Sequence, residues 1–349
     1  SGVAAALLAK QGYDCTGFYM KLWREKPSRR DAELLEVARS TAHQLKMPFY
    51  TLNFEKIFKK RVVDYFLAEY ATGRTPNPCV VCNRLIKFGA LLPRVRRRGF
   101  DYLATGHYAR VARRQDRYHL RQAKDKTKDQ SYFLYNLTQP QLAHILFSVG
   151  DFTKKQVRAM ARRWQLPVTH SRESQEICFL PGDDYRPFLK RHVASVIRPG
   201  EVIDACGKII GWHQGIPLYT IGQRHGFSIT DKKVIGPLYV VAKDAEKNRL
   251  VVSFGQDAET KEFLIRDLNW IAGKPPTRGF RCHVRIRHQG EMLPAQLHFT
   301  PGRVRVVLDE PERGVAPGQA AVFYLPRRNL GEGGRATEVL GGGTIQLED

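Results

Sequence analysis

Two cysteines three residues apart are the first chemically reactive feature of the sequence. They are Cys79 and Cys82, in the stretch TPNPCVVCN at residues 75–83. Four interpretations are open for them: half of a metal site, a dithiol redox pair, one nucleophilic cysteine with a distant partner thiol, or two half-buried packing residues. A helix that starts at this point would favour a thiolate, so we expect it to lower the pKa of Cys82.

The first two interpretations have little further support in the sequence. A structural zinc site usually has four ligands from two paired hooks, and there is no second CxxC. His283 and His288 are five residues apart on a predicted strand, where their side chains would point to opposite faces, so we expect no metal site. A thioredoxin-like pair normally follows the first strand of a small domain, whereas this pair comes after TPNP, far into the chain.

Cys178 is the second candidate thiol, in the stretch SQEICFLPGDD. If Cys82 is a nucleophile that exchanges with a distant thiol, Cys178 is the thiol we expect. The remaining cysteines lie in predicted strands or in the β-rich half of the chain, where a lone cysteine is usually a packing residue. They are Cys15, Cys206 and Cys282.

The composition indicates a basic protein that binds a polyanion. The chain has 349 residues and a net charge of +23, with 57 Lys and Arg against 34 Asp and Glu. Nucleic acid and anionic membrane are the alternatives to a merely basic surface. No apolar run approaches the roughly 18 residues of a spanning helix, and SGVAAALLAK does not read as a signal peptide. Scattered cysteines do not form a disulfide framework, so we expect a cytoplasmic location and no membrane partner.

The elements that must position these cysteines alternate between strand and helix in the first half of the chain. Strands are predicted over 13–20, 48–54 and 101–105, and helices over 31–46 and 80–98. Alternation of this kind predicts an α/β fold with a doubly wound, mostly parallel sheet.

Beyond residue 197 the pattern changes to short alternating runs separated by Gly and Pro. This is typical of small β modules, and we predict two that are barrel-like. The predicted domains are therefore an N-terminal α/β domain over 1–196, a small central β domain over 197–262, and a C-terminal β-barrel over 263–349.

Seven sequence blocks, in one order along the chain, resemble the bacterial tRNA-specific 2-thiouridylase family. The resemblance covers nearly the whole chain, and seven blocks in order are far more specific than one. The blocks are TPNPCVVCNRLIKFG (75–89), ATGHYAR (104–110), KDQSYFLY (128–135), ICFLPGDDYRPFL (177–189), HQGIPLYTIGQRHG (213–226), APGQAAVFY (316–324) and EVLGGGTI (338–345).

The resemblance implies an adenine-nucleotide alpha-hydrolase fold with a pyrophosphatase-type loop in the first domain and tRNA binding by the C-terminal barrel. The implied reaction uses ATP with Mg²⁺ to replace the C2 oxygen of the wobble uridine of tRNA by sulfur. Cys178 would carry the sulfur as a persulfide, and Cys82 would be the nucleophile. The implied partners are tRNA and a sulfur-donor protein of a cysteine desulfurase relay. Cys82 and Cys178 would then be able to form a disulfide, which requires a mobile loop around 170–182.

Further residues match single positions of the family pattern. Nucleotide contacts are implied for Ser1, Gly2, Met20 and Gly106, and a glycine at 106 allows the backbone to approach the ligand. Contacts to the target base are implied for Asn77, Pro78 and Cys79. Other tRNA contacts are implied for His107, Lys128, Asp129, Gln130, Arg287, His288 and Gln319.

The sequence departs from the family at its beginning. The family pattern is a strand followed by SGGVDSSVAA, whose backbone N–H groups hold the ATP phosphates. Here Ser1 and Gly2 match its beginning and residues 3–5 its end, whereas GVDSS and the preceding strand are absent. We expect that residues are missing from the sequence and that the natural protein is an active enzyme. The competing hypothesis is a catalytically impaired tRNA-binding relative. An amidotransferase-type synthetase with the same fold explains neither the paired cysteines nor the basic β domains.

Overall fold

The computed structural model describes residues 1–170, 177–180, 182, 184–276, 279–325 and 337–347. An α/β region comes first, a five-stranded sheet second and a closed six-stranded barrel third. The predicted fold class, an α/β domain followed by two small mainly-β modules, is confirmed.

The helices lie in the first region. Helix α2 begins as predicted, because Ser28 Oγ accepts a hydrogen bond from the backbone N–H of Asp31 at 3.2 Å. Two π-helical stretches, Lys59–Val63 and Cys82–Leu91, join neighbouring α-helices into longer rods. None of the described helices is both long and apolar enough to cross a membrane. The α-helices are α1 (Gly2–Lys10), α2 (Arg29–Gln44), α3 (Glu55–Phe58), α4 (Asp64–Ala71), α5 (Pro78–Val81), α6 (Leu92–Arg96), α7 (Gln139–Leu142), α8 (Lys154–Arg163) and α9 (Arg186–His192).

Short strands accompany these helices. Strand β1 pairs in parallel with β2, β3 pairs in parallel with β6, and β4 and β5 form an antiparallel hairpin. The parallel strands thus form two separate pairs, with a cavity between them. The strands are β1 (Gly17–Lys21), β2 (Phe49–Asn53), β3 (Leu103–Ala104), β4 (Ala109–Arg114), β5 (Arg117–Gln122) and β6 (Ile145–Leu146).

The middle module is a mixed sheet in the order β10-β11-β7-β8-β9. Only the β11–β7 pairing is parallel, and buried and half-buried residues alternate along β7. Its strands are β7 (Gly200–Ile203), β8 (Ile209–His213), β9 (Ser228–Ile229), β10 (Leu238–Asp244) and β11 (Arg249–Phe254).

The last module is a closed barrel in the order β12-β15-β14-β13-β16-β17. Strand β13 ends at Arg285, so the expectation that His283 and His288 share a strand is wrong. Strand β12 crosses the boundary predicted at 262/263, and we propose that the barrel domain begins at residue 259. The strands are β12 (Glu259–Trp270), β13 (Phe280–Arg285), β14 (Leu293–Thr300), β15 (Arg303–Arg313), β16 (Ala320–Tyr324) and β17 (Val339–Gln346).

One hydrophobic core joins the three modules. It runs from Phe58 and Phe88 in the helical region to Val202 in the middle sheet and to Val322 and Tyr324 in the barrel. Burying each large apolar side chain contributes roughly 1.5–3 kcal/mol. The barrel is therefore packed against the helices that carry the cysteines.

Candidate active site

Cys79 lies in helix α5, and Cys82 follows it by one turn as the first residue of the π-helical stretch Cys82–Leu91. The N-cap of α5 is Asn77, whose side-chain oxygen accepts a hydrogen bond from the backbone N–H of Val80 at 3.2 Å. Pro78 occupies the first helical position, where a missing N–H removes no helical hydrogen bond. Because residues three apart lie on one face of a helix, the two thiols are on the same side of this continuous helical rod.

Cys178 lies near Cys79 and Cys82, although it comes from a distant part of the chain. The neighbouring Phe179 is buried among Phe58, Phe66 and Phe188, at ring-centroid distances of 5.9, 5.3 and 5.8 Å. This aromatic cluster holds the backbone beside Cys178. The Cys178 residue itself is exposed, whereas Cys82 is buried.

The three thiols are close enough to influence one another's ionisation. The pKa of Cys82 is raised to about 12, chiefly by burial, and the Lys87 ammonium acts against this rise. The pKa of Cys79 is raised to about 11, first by burial and then by the neighbouring Cys178. Desolvation by the surrounding protein also raises the pKa of Cys178, against the charges of Arg24 and Lys87. The thiols are therefore protonated in this conformation at neutral pH.

The expectation that a helix start lowers the pKa of Cys82 is wrong for this conformation. Cys82 lies a full turn beyond the start of α5, where the field of a helix start is weak, and burial dominates its pKa. All six cysteines are free thiols, so the disulfide implied for Cys82 and Cys178 is not formed in this structure. Much of the loop expected to be mobile around 170–182, namely residues 171–176 and 181, lies outside the described residues.

Lys87 stands beside the thiols, on the π-helical stretch that begins at Cys82. Its Nζ lies 3.2 Å from Nε2 of His107, and Nδ1 of His107 lies 2.7 Å from Oγ1 of Thr105. Burial and the Lys87 charge hold the pKa of His107 well below its usual value. A lysine ammonium only donates, so Nε2 accepts and Nδ1–H donates to Thr105. His107, a predicted tRNA contact, is thus a buried neutral histidine.

A cavity of 1720 Å³ lies between the two parallel strand pairs. All four residues predicted to contact the nucleotide, Ser1, Gly2, Met20 and Gly106, line it. Ser1 is the N-cap of α1 and Gly2 its first residue, so both belong to the helix start and no loop separates them from Val3.

The walls of this cavity suit an anionic ligand. Arg98 and Arg162 line it, and so does Arg24, which pairs with Asp31 at 2.9 Å. The backbone N–H groups at the start of α1 also favour negative charge. A Cβ on Gly106 would lie 2.8 Å from the Ser1 nitrogen, so the close approach of these two backbones requires glycine. The cavity volume exceeds the roughly 300–1,000 Å³ typical of ligand pockets, so the cavity is large enough for a nucleotide.

Asp129, another predicted tRNA contact, is buried at the junction with the barrel. Its Oδ1 accepts a hydrogen bond from the backbone N–H of Ala123 at 2.9 Å. Its Oδ2 accepts from Ser131 Oγ at 2.8 Å, Gln122 Nε2 at 3.1 Å and Arg285 Nη1 at 3.4 Å. The carboxylate is fully engaged within the protein and does not face solvent.

The flanking residues of the predicted triplet are less buried. Gln130 is half-buried, and its Oε1 accepts a hydrogen bond from the backbone N–H of Tyr108 at 3.0 Å. Lys128 is half-buried at the end of a single 3₁₀ turn whose N-cap is Asp125. Of the three consecutive residues predicted to contact tRNA, Asp129 is therefore buried, whereas Lys128 and Gln130 are half-buried.

The predicted tRNA contacts of the barrel lie on its loops. Arg287 is exposed and donates to the Arg313 carbonyl and to Glu312 Oε1, both at 2.8 Å. The ring centroid of His288 lies 4.3 Å from that of Phe133, and burial lowers the pKa of His288. Arg287 can therefore meet a polyanion directly, whereas His288 contributes to the junction between barrel and helices.

Gln319 faces the segment that leads into α5. Its Nε2 donates to the backbone carbonyls of Thr75 at 3.1 Å and Pro76 at 3.3 Å. Two further residues of the site, Lys87 and Arg285, were missed by sequence reasoning. Lys87 follows Cys82 by five residues on a predicted helix, a spacing that could have identified it. Arg285 has no local signal, because its partner Asp129 is far away in sequence.

Three family models match successive parts of the chain. Residues 1–182 match the tRNA methyl transferase HUP domain, and residues 186–254 match the tRNA methyl transferase PRC-barrel domain. Residues 260–345 match the aminomethyltransferase beta-barrel domain. The order of these matches is the order of the three modules in the structure.

Curated relatives match over almost their whole length. The chain is 43% identical to a protein of Moorella thermoacetica over 99% of this chain and 96% of that protein. It is 45% identical to a Chloroflexus aggregans protein over 95% and 94% of the two chains, and 42% identical to a Carboxydothermus hydrogenoformans protein over 99% and 94%. All three relatives are named tRNA-specific 2-thiouridylase MnmA. The chain therefore belongs to the tRNA-specific 2-thiouridylase family.

Proposed function

We propose that this protein is an ATP-dependent tRNA-uridine 2-sulfurtransferase, which replaces the C2 oxygen of the wobble uridine by sulfur. The observation that carries the proposal is that Cys178 lies close enough to Cys82 to contribute to the raised pKa of Cys82, although the two residues are far apart in sequence. The names of the relatives support the same activity and tRNA as the substrate.

The cavity lined by Met20 and Gly106 is the proposed site for ATP. The uridine C2 oxygen would attack the α-phosphorus of ATP, and pyrophosphate would leave. This oxygen then becomes part of AMP, a far better leaving group than a carbonyl oxygen. Mg²⁺ would enter with ATP and balance the charge of its phosphates.

Cys178 is the proposed persulfide carrier, because it is the exposed residue of the pair and a sulfur-donor protein would reach it before the buried Cys82. The outer sulfur attacks C2, and AMP departs with the former C2 oxygen. The Cys82 thiolate then attacks Sγ of Cys178. The bond between Cys178 and the transferred sulfur breaks, and its electron pair leaves with that sulfur as the 2-thiouridine.

These reaction steps leave a Cys82–Cys178 disulfide. An external dithiol must reduce it with two electrons before the next turnover. Each thiol loses one proton along the way. The mechanism requires Cys82 to ionise, although burial holds its pKa near 12 in the resting structure. Lys87 is the group that favours the thiolate, so we propose that it assists this step.

The net charge of +23 suits a tRNA substrate, since phosphate neutralisation releases counterions. A uridine attacked at C2 must leave its stack. We propose that it enters beside Asn77, Pro78 and Cys79 at the start of α5. Arg287, Lys128 and Gln130 lie nearer the surface and are the proposed backbone contacts.

The test uses the chain loaded with sulfur by a cysteine desulfurase and L-cysteine, then mixed with unmodified tRNA and Mg-ATP. Nucleoside mass spectrometry should detect 2-thiouridine that depends on ATP. Cys82→Ser and Cys178→Ser should abolish the product, whereas Cys206→Ser, an exposed cysteine in the turn between β7 and β8, should leave it unchanged. Product that survives either of the first two changes refutes the mechanism. Binding of tRNA without product would favour the impaired tRNA-binding relative.

A further inference from the structure

The barrel loop 314–319 joins β15 to β16 and lies against the segment that leads into α5. The backbone N–H of Thr75 donates to the Pro317 carbonyl at 2.9 Å. Gln319 Nε2 donates to the carbonyls of Thr75 and Pro76. The barrel thus makes three hydrogen bonds to two consecutive residues just before the cysteine helix.

The loop is itself fixed to the barrel wall. The backbone N–H of Gly318 donates to the Ile345 carbonyl at 3.1 Å, and the N–H of Ile345 donates to the Gln319 carbonyl at 2.8 Å. Gly318 has φ +90, and a Cβ on it would lie 3.0 Å from the Thr75 carbonyl oxygen. The loop and the segment therefore approach so closely that glycine is required at the contact.

A displacement of the segment before α5 would also displace the thiols. In the run Thr75-Pro76-Asn77-Pro78, both prolines have a fixed φ, and each restricts the residue before it. Asn77 is the one residue between them, and its side chain caps α5 through Val80. With few free torsions left, a shift of the Thr75 and Pro76 carbonyls must move the first turn of α5.

A second set of contacts supports the same helix from the other side. The Tyr132 hydroxyl donates to the Ala320 carbonyl of the barrel at 2.8 Å. The adjacent Phe133 carbonyl accepts a hydrogen bond from Asn83 Nδ2 at 3.2 Å, and Asn83 directly follows Cys82. The barrel therefore contacts the segment just before α5 directly, and it supports Asn83 indirectly through Tyr132 and Phe133.

We propose that Gln319 is a positioning residue for the thiols, through which the barrel sets the geometry of Cys79 and Cys82 before any RNA is bound. Its side-chain amide acts on the Thr75 and Pro76 carbonyls, and these act on the N-terminus of α5. The catalytic consequence rests on the proposed function, but the effect on thiol exposure does not.

The experiment measures alkylation of Cys82 by iodoacetamide in the tRNA-free protein, residue by residue, by peptide mass spectrometry. Gln319→Glu removes the donor and places a carboxylate against two carbonyl oxygens, and Gln319→Met removes the donor without adding charge. The matched control is Gln296→Glu, on β14 of the same barrel. Circular dichroism and thermal unfolding establish that each variant is folded.

We expect Cys82 to be alkylated at least threefold faster in both Gln319 variants and at the wild-type rate in Gln296→Glu. In the thiolation assay, kcat should fall at least fivefold, with KM for tRNA within twofold of wild type. Alkylation within 1.5-fold of wild type in Gln319→Met, together with a raised KM, would make Gln319 an RNA contact and overturn the proposal. A wild-type protein that forms no 2-thiouridine would refute the proposed function. The alkylation rates would still show whether Gln319 positions the thiols.

Discussion

Replacing Asp129 by asparagine tests whether the buried carboxylate holds the protein together or contacts tRNA. The Asp129 side chain is 0% exposed, and that of its partner Arg285 is 13% exposed. An asparagine oxygen can keep the bond from the Ala123 backbone. Its NH₂ group would take the place of Oδ2 and face the donors of Gln122, Ser131 and Arg285.

The expected loss follows from the unpaired charge left behind. Removing one member of a buried ion pair costs about 3–5 kcal/mol. The Asp129–Arg285 contact is 3.4 Å, longer than the 2.7–2.9 Å or so of a close charge-assisted bond. We therefore expect Asp129→Asn to lower the free energy of unfolding by about 3 kcal/mol. Adding Arg285→Met removes the unpaired cation, so the double variant should lose about 1–2 kcal/mol less than the sum of the singles.

Urea unfolding at pH 7, followed by circular dichroism, measures these changes. Asp151→Asn is the matched control, because it removes an exposed carboxylate that pairs with Arg110 at 3.2 Å, and it should cost less than about 1 kcal/mol. An Asp129→Asn protein within about 1 kcal/mol of wild type would refute the reasoning from burial. If such a protein also lost tRNA affinity, the original prediction of a direct tRNA contact would stand.

Two further predictions concern the thiols. Iodoacetamide at pH 7 should modify Cys178 before Cys82, because Cys178 is exposed and Cys82 is buried. Cys82 should react on the order of 1,000-fold more slowly than an unperturbed thiol, because a pKa near 12 leaves almost no thiolate. Equal rates at both cysteines, read by peptide mass spectrometry, would contradict this. Lys87→Met should move the pH profile of Cys82 alkylation to higher pH, since the ammonium lowers that pKa and its loss raises it, whereas Lys87→Arg should leave the profile in place. An unshifted profile for Lys87→Met would show that Lys87 does not act on Cys82.

Local sequence signals predicted the elements well. The Ser28 cap and the apolar spacing after it predicted α2, and the alternating runs after residue 197 predicted the strands of the two β modules. These signals work because capping and periodicity act within a few residues.

Burial of polar groups was beyond such signals. His107 and Asp129 are residue types that usually face water, and their partners Lys87 and Arg285 come from other elements. The pKa of Cys82 was predicted with the wrong sign for a similar reason. The helix start is visible in the sequence, whereas the protein packed over it is a property of the tertiary fold alone.

The packing of the Phe179 ring limits how far Cys178 can move. Adjacent Cα atoms are about 3.8 Å apart, so the Cα of Cys178 stays at that distance from the Cα of Phe179, whose ring packs against Phe58, Phe66 and Phe188. With that ring in place, the sulfur moves only by side-chain rotation. Any longer excursion lifts Phe179 out, at roughly 1.5–3 kcal/mol, or a ten- to hundredfold fall in population. Phe179 thus keeps Cys178 beside the aromatic cluster, and under the proposed function a sulfur donor would have to dock there.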